Sequence, residues 1–154
     1  MISIDESLVD VSRLAIDTAP FIYLVESHPD FGAPVREIVQ RAERGKLVLA
    51  TSLLSLTEVL VQPYRQSRPE LAAVYREILL YSPYLEILTL ELSIADSAAR
   101  IRAQHGIRTP DAIQIATALG AGCQAFLTND TKLRRVKEPR VIVLSDLLAK
   151  EGRE

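Results

Sequence analysis

The sequence contains few of the residues on which disulfide-stabilised, zinc-binding and membrane proteins depend. One cysteine, Cys123, can form neither an intramolecular disulfide nor a cysteine zinc cluster, so a reducing cytoplasm is the simplest setting. Aromatic residues make up 5% of the chain and tryptophan is absent, so base stacking is not the expected mode of nucleic-acid binding. The apolar runs are too short to cross a bilayer, and the N-terminus lacks the basic start of a signal peptide. We therefore expect a cytoplasmic protein without a membrane segment.

An excess of positive charge is also missing. The 154 residues include 18 Lys and Arg against 20 Asp and Glu, which gives a formal net charge of −2. This balance excludes a globally basic nucleic-acid binder but leaves room for a local basic patch. The length suits one domain, and no linker, repeat or low-complexity segment divides the chain. We expect a single domain over residues 1–154, with residues 1–12 as an N-terminal extension.

Short apolar runs alternate with amphipathic segments along the chain. Continuous apolar runs of this length are typical of strands that are buried on both faces. Strands that alternate with helices indicate a parallel sheet with helices on each side. The sequence therefore predicts an α/β fold, a three-layer α/β/α sandwich around a central parallel sheet of about five short strands. The predicted strands are residues 14–16, 47–49, 85–88, 125–127 and 141–143.

Capping residues divide the segments between these strands into helices. Ser52 predicts the start of a helix that Pro63 stops. Thr109 as N-cap and Pro110 as first helical residue predict an apolar helix to about Leu119. The remaining helices are predicted from Phe21, across residues 35–42, from Leu71 to Leu79, from a capping box of Ser93 and Asp96 to about Gly106, and from Ser145.

Four acidic residues lie where such a fold places functional sites. Asp17 ends the first strand and Asp130 follows the fourth, so both lie at the carboxyl edge of the sheet. Asp111 lies in the first turn of the apolar helix, and Glu58 lies at the edge of the apolar arc of its own helix. Each also has a simpler explanation, as a turn former, a partner of the helix dipole or a boundary residue that reaches water.

Carboxylates that converge repel one another unless a cation holds them together. Oxygen ligands without a His or Cys cluster favour Mg²⁺ or Mn²⁺ over Zn²⁺. Such an ion polarises a phosphate and lowers the pKa of bound water. The four acids therefore indicate metal-assisted phosphodiester hydrolysis.

A basic stretch follows Asp130 directly. Residues 132–140 contain five basic side chains and one acid, Glu138. Beside a carboxylate cluster such a stretch favours a polyanionic substrate, although a solvated loop has the same composition. The basic residues are Lys132, Arg134, Arg135, Lys137 and Arg140.

Four segments in this order resemble the PIN-domain ribonucleases and, more narrowly, the VapC-type toxins of prokaryotic toxin–antitoxin pairs. The resemblance runs from about Leu14 to Leu147, and it implies a cytoplasmic, Mg²⁺- or Mn²⁺-dependent endoribonuclease. It also implies a homodimer that a cognate antitoxin silences by covering the acidic groove. The segments are LAIDTAPFIYLVE, SLLSLTEVLVQP, RTPDAIQIATALGAG and FLTNDTKL.

The resemblance also implies a role for each candidate residue. Asp17, Glu58 and Asp111 would be the principal metal ligands, and Asp130 would ligate a second ion or position water. The supporting polar groups would be Thr18, through a hydroxyl contact with Asp17, and Thr128 and Asn129. The residues expected to bind RNA are Lys132, Arg134, Arg135 and Lys137.

Two features of the sequence leave alternatives open. Sixteen residues precede Asp17, and Ile2 to Asp5 form another strand-then-Asp pattern, but the apolar helix pattern follows only Asp17. The alternative functions are a PIN-like module that binds RNA or protein without cutting, and a phosphoryl-transfer enzyme for a small substrate. Against the latter, Asp17 lacks the second Asp two residues on. His28 and His105 are isolated, and we expect neither to bind a metal.

Overall fold

Five short strands form one parallel sheet in the described part of the chain, residues 2–147 of the computed structural model. Their order across the sheet is β3-β2-β1-β4-β5, and all neighbours are parallel. Every predicted strand is present, so the prediction of a central parallel sheet is confirmed. The strands are β1 (Arg13–Ile16), β2 (Val48–Ser52), β3 (Leu85–Leu88), β4 (Ala125–Thr128) and β5 (Arg140–Val143).

Within the same residues, eight α-helices and one 3₁₀ helix accompany the strands. None of these helices has the length and apolar character needed to cross a bilayer. The α-helices are α1 (Ile4–Ser7), α2 (Thr18–Val25), α3 (Gly32–Glu43), α4 (Leu53–Arg65), α5 (Pro69–Tyr81), α6 (Leu92–His105), α7 (Thr109–Gly120) and α8 (Leu144–Leu147), and the 3₁₀ helix is Thr131–Arg135.

The sheet separates two apolar cores. Leu14 and Ile16 of β1 are buried on one face together with residues of α3 and α5. Ala15 of the same strand faces the other way, into a core that it shares with Phe126 of β4 and with α6 and α7. This alternation follows from the two-residue period of a strand. The outcome is the predicted three-layer α/β/α sandwich.

Two helix ends near the site differ from the sequence predictions. Pro63 does not stop α4, which continues to Arg65, because the C-cap Gln66 still donates its N–H to the carbonyl of Gln62. The loss of one N–H at a proline in the last turns of a helix leaves those later bonds intact. α2 begins at Thr18, earlier than the predicted Phe21, because Asp17 accepts a hydrogen bond from the Thr18 N–H as the N-cap.

The starts of α6 and α7 are also displaced. The predicted capping box is wrong, because α6 starts at Leu92 and Asp96 instead pairs with Arg100 one turn later, at 2.9 Å. Thr109 is the first residue of α7 rather than its N-cap, which places Asp111 at the third helical position. Likewise, α8 begins one residue before the predicted Ser145.

The N-terminal residues do not form the second strand-then-Asp pattern. They fold into α1, and a reciprocal pair of hydrogen bonds between Ser3 and Glu6 caps this helix. Asp5 of this helix forms an ion pair with Arg41 of α3. The division of the chain into an extension over residues 1–12 and one domain stays a prediction of the sequence.

The strand order creates a crevice beside β1. After β1 the chain moves outward through β2 and β3 on one side, and β4 and β5 add on the other side. Open α/β sheets hold their sites where the strand order reverses, outside the carboxyl ends of the strands. The Asp17 N–H donates to the Leu127 carbonyl at 2.9 Å, so β1 and β4 stay joined up to the point where this crevice opens.

Candidate active site

A cavity of about 580 Å³ lies in the crevice at the ends of β1 and β4. All four acidic residues singled out in the sequence line it, together with all three of the supporting polar residues. Arg108 lines it as well; it opens the segment RTPDAIQIATALGAG but is not one of the predicted site residues. The acidic residues are Asp17, Glu58, Asp111 and Asp130, and the polar ones are Thr18, Thr128 and Asn129. We call this cavity the acidic cavity.

Asp17 is held in place by donors from two elements. Its Oδ1 accepts the Thr18 N–H at 2.8 Å, and its Oδ2 accepts the Thr128 hydroxyl at 2.8 Å. Burial raises the pKa of Asp17 from 3.8 to about 6, against the lowering effect of these two hydrogen bonds. The charges of Asp111 and Glu58 raise this pKa further. A nearby cation would therefore stabilise the ionised form of Asp17.

Asp111 projects from the first turn of α7 and is 14% exposed. Burial raises its pKa, and the charges of Asp130 and Glu58 act in the same direction. The guanidinium of Arg108 lowers it, with Nε 3.5 Å from Asp111 Oδ2. Asp111 thus has one cationic neighbour and two anionic ones.

Glu58 reaches the cavity from α4 and is exposed. The Thr18 hydroxyl donates to Glu58 Oε1 at 2.8 Å. The family resemblance implied that this hydroxyl contacts Asp17, but Thr18 contacts Asp17 through its backbone N–H instead. One residue at the start of α2 therefore orients two of the four carboxylates.

A buried polar network lies beneath the carboxylates. Gln114 of α7 is 2% exposed, and its Nε2 donates to the Ser55 hydroxyl of α4 at 2.8 Å. Ser55 lies 2.9 Å from the hydroxyl of Thr51, which in turn donates to the Ile16 carbonyl at 2.8 Å. The network joins the helices of Asp111 and Glu58 to the strand that ends at Asp17. The sequence offered a signal for it, because Gln114 is a polar residue within the apolar part of α7.

Asp130 and Asn129 shape the segment that follows β4. Asp130 Oδ1 accepts the Lys132 N–H at 2.9 Å and caps the 3₁₀ helix. Asn129 donates from Nδ2 to the Tyr23 hydroxyl at 3.2 Å and accepts the Ser145 N–H at 3.2 Å. Asn129 therefore fixes the exit of β4 against α2 and α8.

The basic stretch after Asp130 divides into two groups. Lys132 and Arg135 line a second groove of about 340 Å³, to which Asp111 and Asp130 also contribute. Arg134 pairs with Asp146 at 2.6 Å, and the Lys137 ammonium donates to the Arg134 carbonyl at 3.4 Å. Neither Arg134 nor Lys137 lines the groove or the acidic cavity.

The donor chemistry of the acidic cavity suits Mg²⁺ or Mn²⁺. Its four carboxylates supply only oxygen ligands, and the charges of Glu58 and Asp111 disfavour the ionised form of Asp17. Over residues 2–147 no three His, Cys, Asp or Glu side chains already lie close enough together to enclose an ion. His28 lies outside the cavity, where its Nδ1 accepts the N–H groups of Asp30 and Phe31.

The solved structures that resemble this chain include a toxin–antitoxin complex and two VapBC assemblies. A toxin–antitoxin complex from Klebsiella pneumoniae matches with 24% identity and a TM-score of 0.64 over 85% of this chain and 97% of that one. VapBC2 from Rickettsia felis, bound to a DNA fragment from its promoter, matches with 17% identity and a TM-score of 0.67 over 85% and 98%. DNA-bound VapBC from Salmonella typhimurium matches with 18% identity and a TM-score of 0.66 over 86% and 98%. At these identities the likeness establishes the fold.

A comparison with curated proteins found no match. The model of the PIN domain family, in contrast, matches residues 14–139. The matched range includes all four carboxylates of the acidic cavity and the polar network beneath them. The chain therefore belongs to the PIN domain family.

Proposed function

We propose that this chain is a metal-dependent endoribonuclease that hydrolyses RNA phosphodiester bonds with Mg²⁺ or Mn²⁺. The observation that carries the proposal is that four carboxylates line one cavity at the crevice of a PIN-family fold. Asp17, Glu58 and Asp111 would hold the ion, and Asp130 would ligate a second ion or orient water. A bound ion of this kind would polarise the phosphate and supply an activated water.

The residues of the chain prepare the site for this chemistry. Thr128 and the Thr18 N–H hold the two oxygens of Asp17, and the Thr18 hydroxyl holds Glu58. These hydrogen bonds fix the orientations of two carboxylates, and the acidic side chains would have to move closer together to enclose a cation, since no three of them do so over residues 2–147. Arg108 stands at the rim, where its positive charge offsets part of the acidic field for an incoming polyanion.

We further propose that the chain is the toxin of a type II toxin–antitoxin pair in the cytoplasm and acts as a homodimer. Support comes from the similar structures, one of which is a toxin–antitoxin complex and two of which are VapBC assemblies on DNA. The partner would be the product of a small neighbouring reading frame. Binding of that product with loss of RNA cleavage would support the role, and unaltered cleavage at saturating partner would contradict it.

The nuclease proposal is tested by incubating the purified chain with single-stranded RNA in Mg²⁺, Mn²⁺ or EDTA. We expect cleavage with either ion and none in EDTA. Glu58→Gln and Asp111→Asn should abolish cleavage, because each removes a charged ligand and keeps the side-chain shape. Asp96→Asn is the matched control, since Asp96 is an exposed acid on α6 that pairs with Arg100 outside the cavity.

The outcome also separates the alternatives. An inert wild-type chain that still binds RNA would indicate a binding module and refute the nuclease. Full activity in Glu58→Gln or Asp111→Asn would place the reaction elsewhere on the molecule. Circular dichroism of each variant would establish that the fold is retained.

A further inference from the structure

We propose that the groove beside the acidic cavity binds a backbone phosphate of a single-stranded RNA, next to the phosphate that is cut. We call it the basic groove; its cationic residues are Arg108, Lys132 and Arg135. The proposal rests on the nuclease function, because it assigns the path of the substrate out of that site.

The basic groove and the acidic cavity lie next to each other. Asp111, Asp130 and Arg108 line both of them. A strand whose phosphate lies at the carboxylates therefore has the basic groove beside it as a path for the next nucleotide. The two acids that face both spaces would repel that next phosphate unless cations stood nearby, and the groove supplies those cations.

The three cations lie on two walls of the groove. Arg108 lies in the loop that leads into α7, and Lys132 and Arg135 lie on the 3₁₀ helix. Arg135 joins the walls, because its Nη1 donates to the His105 carbonyl at 3.0 Å and its Nε to the Lys132 carbonyl at 3.2 Å. Both acceptors are neutral, so they hold the guanidinium in place without neutralising its charge.

The other two cations are also available to a phosphate. The Lys132 ammonium forms no hydrogen bond or ion pair with any part of the chain that the structure describes. Arg108 is 81% exposed, and its pairing with Asp111 at 3.5 Å leaves most of the guanidinium open to solvent. Exposed pairs of this kind contribute little stability, so a phosphate can replace one at little cost.

The neighbouring Arg134 provides an internal contrast. It belongs to the same basic stretch, but its guanidinium is 2.6 Å from the Asp146 carboxylate and does not line the groove. Charge content alone would treat Arg134 and Arg135 alike, whereas the geometry separates them. None of the described residues that line the groove is aromatic, so binding should follow the phosphate backbone rather than the bases.

The test measures binding of a short fluorescent single-stranded RNA to the full chain by anisotropy, in EDTA, at 50 and 200 mM salt. Arg108→Ala, Lys132→Ala and Arg135→Ala should each weaken binding at 50 mM salt. For each lost phosphate contact, the drop in affinity between the two salt concentrations should shrink by about 2.6-fold, because the single-strand salt slope changes by about 0.7. Arg134→Ala is the matched control and should leave affinity and slope unchanged. Arg135→Gln keeps hydrogen-bond donors and should weaken binding as Arg135→Ala does.

Several results would overturn the basic groove as an RNA site. The first is equal weakening of RNA binding by Arg134→Ala, and the second is an unchanged salt slope in all three groove variants. The third, with labelled polyglutamate as a second probe in the same assay, is a set of groove variants that lose binding to polyglutamate but keep binding to RNA. The last would identify a site for an acidic protein segment. Failure of the nuclease proposal is a separate result. If RNA binding depends on the groove residues but no cleavage occurs in Mg²⁺ or Mn²⁺, the nuclease proposal is refuted and the basic groove stands as an RNA-binding site.

Discussion

Replacement of Asp17 by asparagine should stabilise the fold at neutral and alkaline pH in the absence of metal. Burial raises the pKa of Asp17 in the folded chain from 3.8 to about 6. Because the folded form binds the proton more tightly than the unfolded form, the wild-type chain loses stability as pH rises between these values. Above about pH 6 the charged carboxylate carries the full penalty, and the neutral amide of the Asp17→Asn variant would carry none.

The size of the effect follows from the pKa difference. The interval from 3.8 to about 6 corresponds to roughly 3 kcal/mol, at about 1.4 kcal/mol for each pH unit. Asparagine keeps an acceptor for the Thr18 N–H but loses the charged acceptor of the Thr128 hydroxyl, which costs about 1 kcal/mol. The net gain at pH 8 is therefore about 2 kcal/mol, or roughly 4–8 °C in Tm for a chain of this size.

The assay is urea unfolding of the wild type and Asp17→Asn in EDTA, at pH 8 and at pH 4. We expect the midpoint of the variant to be higher at pH 8 and the advantage to disappear at pH 4, where the wild-type carboxyl is protonated. Asp30→Asn is the control, because Asp30 is exposed and does not line the acidic cavity. A variant less stable than the wild type at pH 8, or an equal gain at both pH values, would refute the electrostatic reasoning.

Two further substitutions test the support of the site and the packing below it. Thr18→Val removes the hydroxyl that donates to Glu58 at 2.8 Å. We expect RNA cleavage to slow roughly 10-fold, since such a hydrogen bond is worth about 1.5 kcal/mol. Thr57→Val, on the exposed side of α4, should leave the cleavage rate unchanged. Equal rates in the two variants would show that Thr18 does not orient Glu58. Phe126→Ala leaves a cavity in the core between the sheet and α7, where Phe126 is 1% exposed. It should lower the free energy of unfolding by about 3–5 kcal/mol, as measured by urea denaturation. A loss below about 1 kcal/mol would mean that the core closes around the missing ring.

The strands and the acidic residues could be predicted because their signals are local. A continuous apolar run such as 125–127 indicates a buried strand by itself, and an acid at the end of a parallel strand has only one edge of the sheet to occupy. Asp17 and Asp130 both follow from this reasoning. Glu58 and Asp111 were found from the helical pattern and from the family resemblance, and the structure places both in the same cavity.

The contacts between elements were beyond local signals. The Thr18 hydroxyl donates to Glu58 because α2 and α4 pack side by side. The apolar periodicity of either helix does not indicate that packing. Arg108 is an ordinary loop residue in the sequence, and its position between two spaces follows from the turn into α7. The start of α6 could not be placed either, because its N-cap Glu91 makes no side-chain capping bond.

The hydrogen bond from Thr128 to Asp17 joins residues 111 positions apart. Synthesis proceeds from the N-terminus, so Asp17 leaves the ribosome long before the strand that orients it has been made. A nascent or truncated chain that ends before β4 lacks Thr128 and Asp130 and has no partner for the open edge of β1. The proposed nuclease would therefore not cleave the mRNA that encodes it until nearly the whole chain has emerged from the ribosome, because only then would its site be complete.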